Sequence, residues 1–210
     1  MVRDFINYNN TPKIKKGKTF TNQQREPLLL HNKRVLYPDE LQKLIDVIPK
    51  RKHSLIVQCL YLTGLRYETL KRFRDNPEWF KDGYIALPKG SMLKQKARQK
   101  ERIILLSIKG KEIVKEFLKV KPVIPVRQSM NVNLSRWMEE AGLNPKGIGC
   151  SSFRKMYVSY LVATKEHMYL RILSSTGHTQ AVSLTSYIAL PFTSKDKALI
   201  NTYFYGWGEE

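Results

Sequence analysis

Apolar residues recur at helical spacing over most of this chain and change to strand-like runs only near the middle. Pro38, Asp39 and Glu40 form a helix start, with proline pre-set for the first turn and acids at the positive end of the helix dipole. Leu41, Leu44, Ile45 and Ile48 continue it. A second helix is predicted from about His53, with Leu55, Ile56, Cys59, Leu60 and Leu62 inward, stopping at Gly64. A third begins just beyond and carries Tyr67, Leu70 and Phe73. Tyr84 to Leu87 and Arg102 to Leu106 are β-type runs joined by a lysine-rich connection, which predicts a hairpin or small sheet with a basic tip.

The helical period then returns. Ile113, Val114, Phe117 and Leu118 mark one helix; Leu134, Trp137, Met138 and Ala141 mark the next, ended by Gly142. From Ser151 to Thr164, Phe153, Met156, Tyr157, Tyr160 and Leu161 make one apolar stripe. Leu170, Ile172 and Leu173 predict a short helix closing at Gly177, and a segment from about Gln180 to Ala189 carries Tyr187. The expected fold class is mainly α with a small antiparallel β-sheet, an α+β arrangement.

Residues 1–33 sustain no apolar period and hold four lysines between Lys13 and Lys18. They are expected to form a basic, loosely ordered arm, suited to lie along a phosphate backbone. Residues 34–193 then form the main domain. The tail, 194–210, is rich in aromatics (Tyr203, Phe204, Tyr205, Trp207) and is a candidate either for packing against a neighbouring protomer or for covering its own domain's core.

Charge narrows the partner. Thirty-seven Lys and Arg oppose eighteen Asp and Glu in 210 residues, a net charge of +19. Such an excess attracts polyanions, double-stranded DNA foremost, because neutralised phosphates release condensed counterions. No apolar run approaches the roughly 18 residues of a membrane-spanning helix, and no secretory pattern opens the chain, so an intracellular protein is expected. The two cysteines, Cys59 and Cys150, have no metal-ligand spacing, and the four histidines form no ligand pairs. Neither a metal nor a cofactor is expected.

Cutting a DNA strand without a metal requires a nucleophile, cations to hold the non-bridging oxygens, and an acid for the leaving 5′ oxygen. Arginine suits the clamp because its guanidinium is planar, always charged and bidentate. Tyrosine suits the nucleophile because a phenolate can leave again when the strand is resealed. Lysine or histidine suits proton transfer. The chain carries Thr63-Gly64-Leu65-Arg66-Tyr67-Glu68 after a helix, Ser151-Ser152-Phe153-Arg154 at the start of an amphipathic helix, and Gly177-His178 with Tyr187 nine residues beyond.

This order and spacing resembles the tyrosine recombinases, or phage-type integrases, over roughly residues 34 to 205, and the stretch from Phe153 onward looks closest to integrases of archaeal viruses and plasmids. The resemblance implies a T-G-x-R-x-x-E box supplying Arg66, an H-x-x-R box supplying Arg154, a G-H box at Gly177 and His178, and the nucleophile at Tyr187. It implies a catalytic lysine on the hairpin, where Lys94 fits the archaeal pattern and Lys89 the bacterial one. Lys89, Lys96, Arg98, Lys100 and Lys155 are then expected to contact DNA.

Two positions depart from the family pattern. Glu68 lies two residues after Arg66, one short of the usual acid, and is expected to be a solvated carboxylate in a first helical turn. Ser151 replaces the histidine of the second box; it is either a hydrogen-bond donor to a phosphate oxygen or simply a helix N-cap. The implied activity is site-specific recombination through a 3′-phosphotyrosine intermediate, on double-stranded DNA and in a homotetramer. A type IB topoisomerase and a catalytically inactive DNA-binding module with the same fold are the alternatives.

Overall fold

A computed structural model describes residues 25–91, 101–177, 187 and 190–209. The chain opens with a tight antiparallel hairpin, β1 (Leu29–Leu30) and β2 (Lys33–Arg34), turning through His31 and Asn32 in left-handed conformation. The expected boundary at residue 34 falls inside this hairpin. The described part of the arm, from residue 25, is tied to the domain: Val35 N–H donates to Leu28, Arg34 N–H donates to Gly147, and Arg25 pairs with Asp196. Hydrogen bonds to main-chain groups far along the chain, which no local pattern signals, make the difference.

Helix α1 (Pro38–Val47) follows, then α2 (Arg51–Thr63) and α3 (Tyr67–Asp75). Every residue of α2 from Ser54 to Thr63 is buried. A helix apolar on all sides belongs in the middle of a fold, and α2 packs against both α4 (Ile108–Val120) and α6 (Cys150–Thr164). Within that buried stretch the Gln58 amide donates to Ser54 Oγ, one turn back, at 2.9 Å. Helix α5 (Arg127–Glu140) lies between α4 and α6 in sequence and buries Met130, Leu134, Trp137 and Met138.

The sheet is three-stranded and antiparallel, in the order β3 (Phe80–Lys81), β4 (Tyr84–Leu87), β5 (Arg102–Leu105). Strand β3 is too short to show alternation and was not foreseen. The register pairs Ile85 with Ile104 and Leu87 with Arg102. Since side chains alternate along a strand, Arg102 points to the same buried face as Ile85, Leu87 and Ile104.

Two further helices close the molecule, α7 (Tyr169–Thr176) and α8 (Ser194–Phe204). Helix α7 lies against β5. Leu170 faces out on α7 at 76% exposure, while Ile172 and Leu173 face in. Helix α8 is the tail, and it packs on its own domain: Ile200, Tyr203, Phe204 and Trp207 are buried, against α1, α4 and α6. The main-chain fit is close, with Ser107 Oγ donating to Tyr203 O at 2.7 Å and Ile108 N–H to Tyr205 O at 3.1 Å. Of the tail aromatics, Tyr205 is left exposed.

Candidate active site

The end of α2 builds the first wall of the site. Gly64 caps the helix at φ 61°, a left-handed conformation that glycine adopts without strain. A side chain there would also meet a neighbour: a Cβ would lie 2.4 Å from Tyr157 Cδ1. Thr63 Oγ1 donates to Cys59 O and accepts from Leu65 N–H, fixing the turn. The chain then emerges through Arg66, which is exposed and occupies the residue before α3 with extended backbone.

The second wall is α6. Its cap is Gly149, whose N–H donates to Ser152 Oγ at 3.2 Å, and the next amide, Cys150 N–H, donates to Asn131 Oδ1. Ser151 is therefore not the N-cap; it is exposed in the first turn of the helix. The chain enters the helix two residues earlier than an N-cap at Ser151 needs, and Ser152, at the third helical position, reaches back to accept from the Gly149 amide. Arg154 sits one turn in. Its Nη1 donates to Gly64 O at 2.7 Å and its Nη2 to Thr176 O. The same arginine thus touches the C-terminal ends of α2 and α7, where carbonyls and helix dipole both favour a cation.

A third arginine joins these two. Arg102, on the buried face of β5, donates from Nη1 to the same Thr176 carbonyl at 2.9 Å. Gly177, at φ 63°, lets it approach: a Cβ there would lie 3.0 Å from Arg102 Cδ and Nη1. Arg102 lacked any motif, and its signal was its phase: an arginine at an inward position of an otherwise apolar strand.

Behind the arginines runs a buried polar chain. Leu105 N–H donates to Ser175 Oγ, which bonds Tyr157 OH at 3.0 Å; Trp207 Nε1–H donates to Tyr157 OH at 3.2 Å. It ties β5, α7, α6 and the C-terminal segment together at one point. Tyr157 was foreseen as core and Trp207 as tail; their polar link was not.

The cluster is strongly positive. Burial first, then the charges of Arg102 and Arg66, pull the Arg154 pKa down to about 9. Burial first, then Arg66, pulls Arg102 down to about 10. An arginine does not give up its proton at neutral pH; such depressions measure how poorly the charge is compensated. The hydrogen bonds of Arg102 and Arg154 go to carbonyls rather than to carboxylates. An incoming anion would supply the missing counter-charge.

Tyr187 lies within electrostatic reach of Arg154. It is buried at 6% exposure, and burial raises the pKa of its phenol, with Arg154 opposing the shift. The Lys155 ammonium stands 5.8 Å from the Tyr187 ring centre. Lys155 Nζ is also 3.2 Å from His31 Nδ1, and burial followed by the nearby Lys33 lowers its pKa.

The structure thus brings Arg66, Arg154, Lys155 and Tyr187 into one neighbourhood, with Ser151 exposed one turn before Arg154. Lys89 is exposed in the turn after β4, beside Gly90, whose carbonyl accepts from Arg72 Nη1 at 3.1 Å. Lys94, Lys96, Arg98, Lys100 and His178 lie outside the described residues. Glu68 sits in the first turn of α3 and pairs with Lys71 at 3.2 Å and Arg127 at 3.8 Å. Among the described residues no group of three or more His, Cys, Asp or Glu is arranged to hold a metal, and no helix is long and apolar enough to cross a membrane. Comparison of the chain with protein-family models and with curated proteins yields no match.

Proposed function

We propose that this chain is the catalytic domain of a site-specific DNA recombinase that cuts and rejoins strands through Tyr187. The observation that carries the proposal is the convergence of Arg66, Arg102 and Arg154, from three elements far apart in sequence, with Arg102 and Arg154 sharing the Thr176 carbonyl and Tyr187 within electrostatic reach of Arg154. Three arginines without carboxylate partners for two of them suit a phosphodiester, whose non-bridging oxygens accept charge-assisted hydrogen bonds.

The chemistry follows from these groups. A scissile phosphate binds between Arg66 and Arg154. The Tyr187 oxygen attacks phosphorus and gives up its proton to solvent; the bond from phosphorus to the 5′ oxygen breaks. A hairpin lysine, Lys94 in the archaeal pattern, protonates that oxygen, leaving a 3′-phosphotyrosyl bond and a 5′ hydroxyl. Arginines fixed in advance stabilise the charge that grows on the phosphoryl oxygens, the effect that usually contributes most to such catalysis. His178 adds a further hydrogen bond. Attack by a 5′ hydroxyl of a partner duplex reverses the step, and neither metal nor nucleotide hydrolysis is consumed. Exchange between two duplexes calls for four protomers on DNA, inside the cell where that DNA is.

Four-way DNA junctions test the class. A recombinase resolves them into duplexes in metal-free buffer. Relaxation of a supercoiled plasmid without resolution would instead assign a type IB topoisomerase. Binding without either reaction, on any substrate, would assign an inactive DNA-binding module.

A further inference from the structure

Among the described residues two buried arginines have guanidinium nitrogens without partners, and they differ in one respect. Arg34 leaves Nε and Nη1 unpaired, but its Nη2 binds the Glu40 carboxylate at 2.6 Å, so its charge is met. Arg102 leaves Nε and Nη2 unpaired and its single partner is a neutral carbonyl. At 7% exposure it has little water to compensate. Its charged neighbours, Arg66 and Arg154, repel it. Leucine or valine would suit this strand position, opposite Leu87, far better if packing were the only requirement.

The shared carbonyl suggests what the arginine is for. Thr176 O accepts from Arg102 Nη1 and from Arg154 Nη2 at once. Arg154 spends two of its five N–H donors on main-chain carbonyls, and turning the guanidinium to face an anion would draw Nη2 away from Thr176 O. A buried carbonyl abandoned in that exchange would oppose binding. Arg102 remains on it.

We infer that Arg102 is a positioning residue of a phosphate-binding site: it retains the Thr176 carbonyl while Arg154 transfers to the phosphate group. This rests on the proposed reading of the arginine cluster as a phosphodiester pocket. It goes further in naming a residue outside the sequence motifs and the exchange it permits. Arg102 also sits against Gly177, so it fixes the chain just before His178.

Inorganic phosphate is the probe. Nitrogen–proton spectra of the wild-type protein resolve arginine Nε–H signals, which are followed during a phosphate titration at constant ionic strength. The Arg102 and Arg154 signals are both expected to move, with one binding constant. Arg102→Lys, which keeps a charge and a single donor, is expected to bind phosphate about tenfold more weakly, the loss of a charge-assisted bond. Arg102→Met should weaken it further. A merely structural arginine would lower the melting temperature of both variants and leave the phosphate affinity of the folded protein unchanged. That result, or an Arg102 signal that stays still while Arg154 moves, overturns the inference, as does the absence of any phosphate-dependent shift in wild type.

The same proteins are then given a nicked duplex that traps a covalent adduct. Phosphate binding that depends on Arg102, with no adduct from wild type, overturns the recombinase reading and leaves the Arg102 assignment standing. An adduct from wild type, together with wild-type phosphate affinity in Arg102→Lys, overturns the Arg102 assignment alone.

Discussion

Arg154 holds the ends of two helices together through Gly64 O and Thr176 O, and among the described residues no carboxylate pairs with its charge. Replacing it with alanine is expected to abolish strand cleavage, as is Arg66→Ala, while gel-shift affinity for DNA stays within a few-fold of wild type, since many other cations contact phosphates. Cleavage by either variant at close to the wild-type rate would remove that residue from the site. Gly64 makes a second claim at this scale. Gly64→Ala is strained by its positive φ and collides with the Tyr157 ring. A loss of about 2–4 kcal/mol in unfolding free energy is expected in denaturant titrations. Loss under about 0.5 kcal/mol would show that Tyr157 yields easily.

How much could be read in advance depends on the element. Helices α2, α4, α5 and α6 were legible because each repeats apolar residues over three turns or more, and Gly64 and Gly177 were legible as helix ends. Arg66, Arg154 and Tyr187 were singled out by the resemblance to tyrosine recombinases, and Arg154 lies within electrostatic reach of the other two. Arg102 was not legible, since its role depends on which strand face is buried and on a carbonyl 74 residues away. Nor was the β1–β2 hairpin, whose two-residue strands are held by Gly147 and Leu28 carbonyls. Of the two roles open to Ser151, that of N-cap falls to Gly149 instead, a residue with no side chain to signal it.

The tail gives this scale its sharpest tests. Trp207 is fully buried and donates to Tyr157 OH, so Trp207→Ala should cost about 3–5 kcal/mol and reduce cleavage through loss of fold. Unaltered stability would mean that α8 docks elsewhere. Asp196 caps α8 from within. Burial pushes its carboxyl up, but the Thr193 hydroxyl and amide and the Arg25 guanidinium outweigh this and hold it below the usual value. A lowered folded pKa gives stability that is present above the unfolded pKa of about 4 and lost as pH falls through the folded value. Wild type should therefore lose melting temperature between about pH 5 and pH 3, and Asp196→Asn should start lower and fall less over that range. Equal slopes for the two proteins would contradict the assignment.

For the whole molecule, the proposed reading assigns DNA affinity to charge and the chemistry to the arginine cluster. A net charge of +19 acts over the full surface and does not select a sequence. Binding to random duplex should weaken by about a thousandfold or more between 50 and 200 mM salt if six or more phosphates are neutralised. On the proposed reading, cleavage requires Tyr187 to give up a proton that burial helps it retain, while the charge of Arg154 favours the phenolate.

Peptide mapping of a trapped adduct tests this account most directly. Wild type is incubated without metal on nicked duplexes pooled over candidate sites, and the DNA-linked protein is digested and sequenced by mass spectrometry. The account predicts one DNA-bearing peptide, modified on the Tyr187 oxygen, that is missing with Tyr187→Phe. A covalent adduct on any other residue, or one that persists in Tyr187→Phe, would contradict it.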